Sequence, residues 1–344
     1  MKAPDSFGIG LFESQEGKTF TGLVTGGEVF ELDYLIPGAT LDTLLGEWGE
    51  GLAALRDARA GLSPGGGQSL ETLRPLPPVG PGCQIFQSGA NYRAHVLDLI
   101  AAAERRGDNS DGLGAGGRES ARKQLDERAL TGRPFVFSGS VHALAGANDD
   151  VVLPYDSAQH DWELELAAVI GFPGRRLSRE SALDIVAGYT ICNDLTTRDA
   201  LNRPDANSLG LDWLAGKNAP TFLPTGPYLV PAEFVGDPQD LRIELKVNGS
   251  TMQDESTADM LFNVARIIEH VSNLTELRPG DLVLTGSPAG NGASHGVFLK
   301  PGDLLEGSVT GLGAQRNRCV AERPSSQDSQ KDKDSAKDPF TTGL

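Results

Sequence analysis

The chain predicts an α+β fold, with a strand-rich main domain preceded by a small N-terminal α+β domain. Three observations carry this. From residue 135 onward short apolar runs of strand character dominate: FVFSGSV, DVVLP, WELELAAVIG, GYTICND, GPYLV, LRIELKVNG, DLVLTG and LLEGSVTGLG. One clear helical pattern interrupts them, STADMLFNVARIIEHVSNL at 256–274, with SRESALDIVAG as a second, shorter helix. The segment RPLPPVGPGC reads as an extended linker, because Pro and Gly break both kinds of periodicity there. Many strands with few helices in one half give a β core with attached helices.

The elements follow in order. Residues 1–36 read as short strands, FGIGLFE, TFTGLVTG and EVFELD, separated by turn residues. TLDTLLGEWGEGLAALRDARAGL at 40–62 has apolar residues at helical spacing, and SPGGGQ is a loop. These make up the N-terminal unit, 1–78, and the main domain is expected over 79–323. It opens with the strand and loop QIFQSGANY and the helix HVLDLIAAAERRG. Residues 107–133 are charged and Gly-rich, with a helix expected at ESARKQLDERAL; the segment reads either as a lid over a site or as a surface insertion. In the helix over 256–274, Ser256 is the expected N-cap with Asp259 three residues on, and Met260, Val264, Ile267, Val271 and Leu274 form the apolar stripe. Pro-Gly-Asp turns at 279–281 and 301–303 each precede an apolar strand, an echo rather than a repeat. Residues 324–344 are polar and of low complexity, and disorder is expected for them.

Composition narrows the function classes. The net charge of −17 and the absence of a Lys/Arg cluster exclude the positive face that a nucleic-acid partner needs. The three cysteines, Cys83, Cys192 and Cys319, lie far apart without CxxC spacing, so neither a disulfide framework nor a zinc site is expected. No apolar run reaches the ~18 residues of a membrane span, and the start MKAPDSFGIGLFE lacks the apolar stretch of a signal peptide, so the expected location is cytoplasmic.

The most informative stretch is His160-Asp161-Trp162-Glu163-Leu164-Glu165 and the apolar run after it. In a strand, Trp162, Leu164, Leu166, Ala168 and Ile170 share one face, and Asp161, Glu163 and Glu165 share the other. Three acids on one face repel one another unless a cation lies between them. A solvated polar face is the competing reading, but such faces mix signs and the later half of this strand is apolar on both sides. A hard-cation site is therefore favoured. In GYTICND, Asp194 sits at a strand end, where it serves equally well as a turn former. Near residue 92 a helix would put His95 and Asp98 on one face at i, i+3, as a general base with its orienting acid or as an ordinary surface pair. His142, His270 and His295 have no partner at ligand spacing, and His160 falls on the Trp162 face. The Gly-rich runs lack a P-loop ending, so no nucleotide site is expected. The loop TGSPAGNG at 285–292 offers Thr285, Ser287 and backbone N–H groups to an anionic substrate, or is a plain connecting turn.

In this order NYxxH (91–95), WELELAAVIG, GYTICNDLTTRD, GKN (216–218), TGPYLV, LKVNGSTMQ, LRPGDLVLTGSPAG, LKPGDLLEG and GLGAQRN resemble the fumarylacetoacetate hydrolase family over about residues 83–322. The resemblance implies that family's mixed β-sandwich or roll, with the small variable N-terminal domain many members carry. It implies a metal triad at Glu163, Glu165 and Asp194 holding Mg²⁺ or Mn²⁺, catalytic His95, Asp98 and Lys217, and substrate contacts at Arg198, Tyr92, Thr285 and Ser287. Arg198 either binds a carboxylate or braces the Asp194 loop. Asp98 stands where the family often has Glu, and Leu201 where it commonly has Gln. The expected partner is a small oxo-carboxylate, and the expected assembly a homodimer. The leading function is hydrolysis of a carbon–carbon bond in a 2,4-dioxo acid of acylpyruvate type through a metal-bound enolate. Decarboxylation of an oxo acid or isomerisation of a 2-hydroxy-diene-dioate on the same site is the alternative, and a non-catalytic metal or small-molecule binding protein is the alternative of another class.

Overall fold

A computed structural model of the protein describes residues 6–106, 117–205 and 209–323. Part of the segment read as lid or insertion, 107–116, and the tail expected to be disordered, 324–344, lie outside the described residues.

The large sheet has twelve strands. Its central run places Gly8–Glu13, Leu223–Pro231, Val186–Asn193, Leu164–Ile170, Leu282–Leu284, Ile85–Gly89 and Phe135–Gly139 side by side. A second sheet of five strands runs from Ser250–Ser256 through Arg242–Val247, Leu304–Val309 and Gly313–Ala321 to Val151–Leu153. Every residue of Leu164–Ile170 is buried, as the apolar run on both of its faces requires. Leu164, Leu166, Ala168 and Ile170 join the larger core, together with residues of the second sheet and of the helix Val264–Leu274. Ala167 and Val169, on the opposite face, share a second core with Leu41, Leu44, Leu45, Trp48 and Leu55 of the N-terminal helices. The second sheet comes close enough that a Cβ on Gly307 would fall 2.8 Å from Leu164 Cδ1. The N-terminal strands extend the same large sheet, with Ile9 paired to Leu229.

Three expected helices come out differently. The one over 40–62 is broken at Glu47 into Leu41–Gly46, with a Thr40–Thr43 capping box, and Trp48–Ala60. The one over 256–274 begins only at Val264, capped by Asn263. Ser256 caps a 3-10 turn over Thr257–Asp259 instead. The intervening residues are held by Asn91: its Nδ2 donates to Phe262 O at 2.9 Å, its Oδ1 accepts from Phe262 N at 2.9 Å, and its carbonyl accepts from Leu261 N at 2.7 Å. Tertiary hydrogen bonds therefore override local helix propensity, and Leu274, expected on the buried stripe, is exposed. In SRESALDIVAG only Ala182–Ile185 coils, as a 3-10 turn, because Val186 and Ala187 enter the strand beside Leu164–Ile170.

The two Pro-Gly-Asp turns share one device. Asp281 Oδ2 accepts from Arg278 N at 2.8 Å and Asp303 Oδ2 from Lys300 N at 2.9 Å, with Gly280 and Gly302 at φ +88° and +97°. The three cysteines are free. Among the described residues no helix is long and apolar enough to cross a membrane.

Candidate active site

The acid-bearing segment and the strand end at Asp194 meet by antiparallel pairing. Leu164 is opposite Asn193 and Glu165 opposite Cys192. One step further out, Asp194 N donates to Glu163 O and Glu163 N donates to Asn193 Oδ1, both at 2.9 Å. Residues opposite one another on such a ladder have side chains in contact range. Glu163, Glu165 and Asp194 are all buried, and each offers a carboxylate oxygen within 4.8 Å of the others.

Two cations serve these acids. Lys217, the last residue of the helix Trp213–Lys217 and only 2% exposed, donates to Glu163 Oε2 at 2.5 Å, to Asp194 Oδ2 at 2.7 Å and to Asp194 O at 3.0 Å. Arg198 donates from Nη2 to Glu163 Oε1 at 2.5 Å and from Nε to Asp161 Oδ2 at 2.8 Å. Asp161 shares no oxygen with the triad. It accepts instead from the N–H groups of Trp162, Gly292 and Ala293 at 2.7–3.0 Å. Glu165 has no cation partner, only the Gly286 N–H at 2.7 Å. Gly286 is required there: its φ is +91°, and a Cβ would stand 2.8 Å from that of Asn91. Gln87 Nε2 donates to Asp194 Oδ1 at 2.5 Å.

The charges do not balance. Four buried carboxylates, Asp161, Glu163, Glu165 and Asp194, face two cations. Burial, with Asp194 adding to it, pushes Glu165 well above the usual carboxylate range. Burial likewise raises Asp194 to about 6. Burial acts against ionisation of Glu163 too, but Lys217 and Arg198 outweigh it and hold that group at about 2. The formal excess of two carboxylates over cations, offered by hard oxygen donors at converging positions, fits a divalent cation of the magnesium or manganese kind.

A cavity of about 280 Å³ opens over this cluster. Glu163, Asp194, Arg198, Lys217, His95 and Ser287 line one side of it. His95 is buried on the helix Arg93–Arg106 and its Nδ1 has no hydrogen-bond partner. Burial lowers its pKa to about 4, so the ring is neutral at pH 7. Asp98 does not join it. It is half-buried, makes no hydrogen bond to His95, and its charge acts on Glu255. The i, i+3 spacing puts the two residues on neighbouring turns, but His95 is buried while Asp98 stays half-buried.

The remaining sequence candidates divide. Ser287 lines the cavity, but its hydroxyl is already bonded to Gln253 Nε2, Asn291 Nδ2 and Pro288 O. Thr285 is turned to the strand, where its hydroxyl donates to Leu166 O at 2.8 Å. Tyr92 is fully buried in the main core and does not line the cavity. Sequence reasoning missed Gln87, whose position beside Ser88 in the buried strand IFQSG is the signal. It also missed Asn291, which ties the TGSPAGNG loop to Trp162 O at 2.8 Å and reaches Glu163 Oε1 at 3.4 Å. Phe135, Phe137 and Trp213, which form the cavity's other wall, carried no readable pattern.

Comparison with known proteins identifies the family. Residues 84–320 match the family model described as fumarylacetoacetate (FAA) hydrolase C-terminal. The chain is 34% identical over 308 residues to the 2,4-didehydro-3-deoxy-L-rhamnonate hydrolase of Sphingomonas sp. (strain SKA58), covering 88% of this chain and 93% of that protein. It is 40% identical over 189 residues to the mitochondrial oxaloacetate tautomerase FAHD2B of Homo sapiens, a match that spans 54% of this chain and 59% of that one. Among solved structures, the fumarylacetoacetate hydrolase of psychrophilic Exiguobacterium antarcticum superposes with a TM-score of 0.71 at 28% identity, covering 92% of this chain and all of the other.

Proposed function

The chain belongs to the fumarylacetoacetate hydrolase family, and from that premise we propose that it is a divalent-metal-dependent hydrolase that cleaves a 2,4-dioxo acid into pyruvate and a carboxylic acid. The observation that carries the reading is the triad Glu163, Glu165 and Asp194, its acids formally in excess of the cations beside it and set under a small cavity that also holds a neutral His95 with an unpartnered Nδ1. When bound at the triad, a divalent cation supplies Lewis-acid polarisation of a 2-oxo carboxylate.

The chain's own groups do the rest. His95 takes a proton from a water that adds to C4. The C3–C4 bond then breaks with its electron pair passing to C3, and the proton held by His95 is returned there. Water's oxygen stays in the carboxylic acid, and the C1–C3 fragment leaves as pyruvate. Lys217 and Arg198 each hold one oxygen of Glu163, and both line the cavity in which the oxyanion would develop. Asp98 has no part in this scheme. Ser287 lines the cavity with its hydroxyl held by Gln253, Asn291 and Pro288, while Thr285 and Tyr92 support the loop and core behind it.

A second reading, keto–enol tautomerisation or decarboxylation of an oxo acid, uses the same carboxylates and needs no water. The 40% identity to an oxaloacetate tautomerase favours it over the stretch that match covers. A panel of 2,4-dioxo and 3-carboxy-2-oxo acids, followed in parallel for pyruvate, CO₂ and enol absorbance, separates the two. Stoichiometric pyruvate and carboxylic acid support hydrolysis, whereas loss of enol absorbance without pyruvate would replace it with tautomerisation.

A further inference from the structure

The cavity has two unlike walls, and the second one carries information about the substrate's far end. The strand Phe135–Gly139 sets Phe135 and Phe137 on one face, opposite Gly89 and Gln87 in the neighbouring strand. Gln87 bonds Asp194, so the aromatic face continues directly from the carboxylate floor. The missing Cβ of Gly89 lets the Phe135 ring lie across it, since one would stand 2.9 Å from Phe135 Cδ1. Trp213 and Lys217 open and close the same short helix at i, i+4 and therefore share its face. The helix that fixes the ammonium in the floor thus also fixes the indole on the wall. Trp213 stacks on Phe137 with centroids 4.5 Å apart and planes 24° apart, and meets Phe135 at 5.5 Å. Leu201, buried below them, completes the surface, and its carbonyl accepts from Asp212 N at the head of the helix.

Among the described residues that line the cavity, no spare positive charge faces this wall. Among the described lining residues the only Lys and Arg are Lys217 and Arg198. All three hydrogen bonds of Lys217 go to Glu163 and Asp194, and Arg198 lies between Asp161 and Glu163. A carboxylate in the far half of the cavity would be desolvated without a counter-charge, near a cluster that is already negative. A hydrocarbon there meets a preformed aromatic surface. The volume of about 280 Å³ lies just under the roughly 300–1,000 Å³ of drug-sized ligand sites, so head and tail together must be small.

The geometry points to a substrate whose tail beyond C4 is a small apolar group, planar or branched, and not a second carboxylate, with Phe135, Phe137 and Trp213 as the residues that select it. This rests on the proposed function only in placing the oxo-carboxylate head at the acids.

The test is binding rather than turnover. The full chain, supplied with Mn²⁺, is titrated by calorimetry with two 2-oxo acids that share a head: 2-oxo-4-phenylbutanoate and 2-oxohexanedioate. The phenyl ligand is expected to bind at least about 10-fold more tightly, the low end of what one apolar contact discriminates. Trp213→Ala, at a half-buried position, should remove most of that ratio, and Phe137→Leu, which keeps an apolar side chain but no ring, part of it. Equal or tighter binding of the dioate, no binding of either ligand, or a ratio unmoved by Trp213→Ala would overturn the inference even if 2,4-dioxo acids are cleaved. The expected ratio together with turnover that yields no pyruvate would leave the tail assignment standing and remove the hydrolase reading.

Discussion

Glu165→Gln should have opposite effects on the metal-free and the metal-loaded protein. Glu165 is 1% exposed and accepts one hydrogen bond, from Gly286 N at 2.7 Å. Its carboxyl is pushed up by burial first and by Asp194 next. A carboxyl with a raised pKa stabilises the fold while it keeps its proton, and that stability is lost as pH rises through the folded-state value. Asp194 behaves in the same way, from 3.8 to about 6, which corresponds to on the order of 3 kcal/mol lost between pH 4 and pH 7 in the metal-free chain. Gln at 165 keeps the shape and the acceptor but carries no charge. At pH 8 and without metal it should raise stability by roughly 1–3 kcal/mol, the scale on which removal of poorly compensated buried charge is stabilising. At lower pH, as the wild-type carboxyl takes up its proton, the advantage should shrink. With Mn²⁺ the order inverts: wild type gains about 2.7 kcal/mol at a hundredfold excess over Kd, whereas the variant, one ligand short, gains little. Urea midpoints at pH 5 and pH 8, with EDTA or Mn²⁺, read all of this. A variant less stable than wild type in EDTA at pH 8, or one stabilised by Mn²⁺ to the same extent, would refute the assignment of Glu165 as an uncompensated metal ligand.

Other residues give sharper separations. His95→Ala should slow turnover by about 10²–10⁴-fold with Mn²⁺ affinity nearly intact, measured by steady-state kinetics beside calorimetry; an unchanged rate would remove His95 from the chemistry. Asp98→Asn should leave kcat/KM within about threefold, a change below 1 kcal/mol, because His95 Nδ1 has no partner and Asp98 makes no bond to it; a loss like that of His95→Ala would restore the dyad that the sequence suggested. Lys217→Met should destabilise the metal-free chain by roughly 3–5 kcal/mol at pH 8, since it leaves Glu163 and Asp194 without their shared cation; a midpoint unchanged in urea would mean that the ammonium is replaceable by solvent.

How much of this was legible follows from where each signal resides. The strand Leu164–Ile170 was readable because alternation and two-sided apolarity are local, and its two faces do enter two different cores. The convergence of Glu163 and Glu165 rests on that same period of two. Asp194 was ambiguous by itself, since the ladder that brings it to Glu163 is a long-range pairing. The start of the helix at Val264 was missed because Asn91, far away in sequence, holds Leu261 and Phe262 outside the helix. The His95–Asp98 pair shows the reverse error, where spacing allowed a contact that the packing of the helix does not make. Asp161 shares the acid face in the sequence, and only the loop at Gly292 and Ala293 reveals what its oxygens bind. The aromatic wall is assembled from a strand, a short helix and a turn, so no window of sequence contains it.

The central claim is most directly tested by single turnover of a small 2,4-dioxo acid in H₂¹⁸O, with the EDTA-treated chain compared before and after addition of Mg²⁺ or Mn²⁺. The account predicts no reaction without metal, and with metal equal amounts of pyruvate and of a carboxylic acid that carries one ¹⁸O from solvent. Full turnover in the metal-free chain, or consumption of substrate with no labelled carboxylic acid, would contradict it.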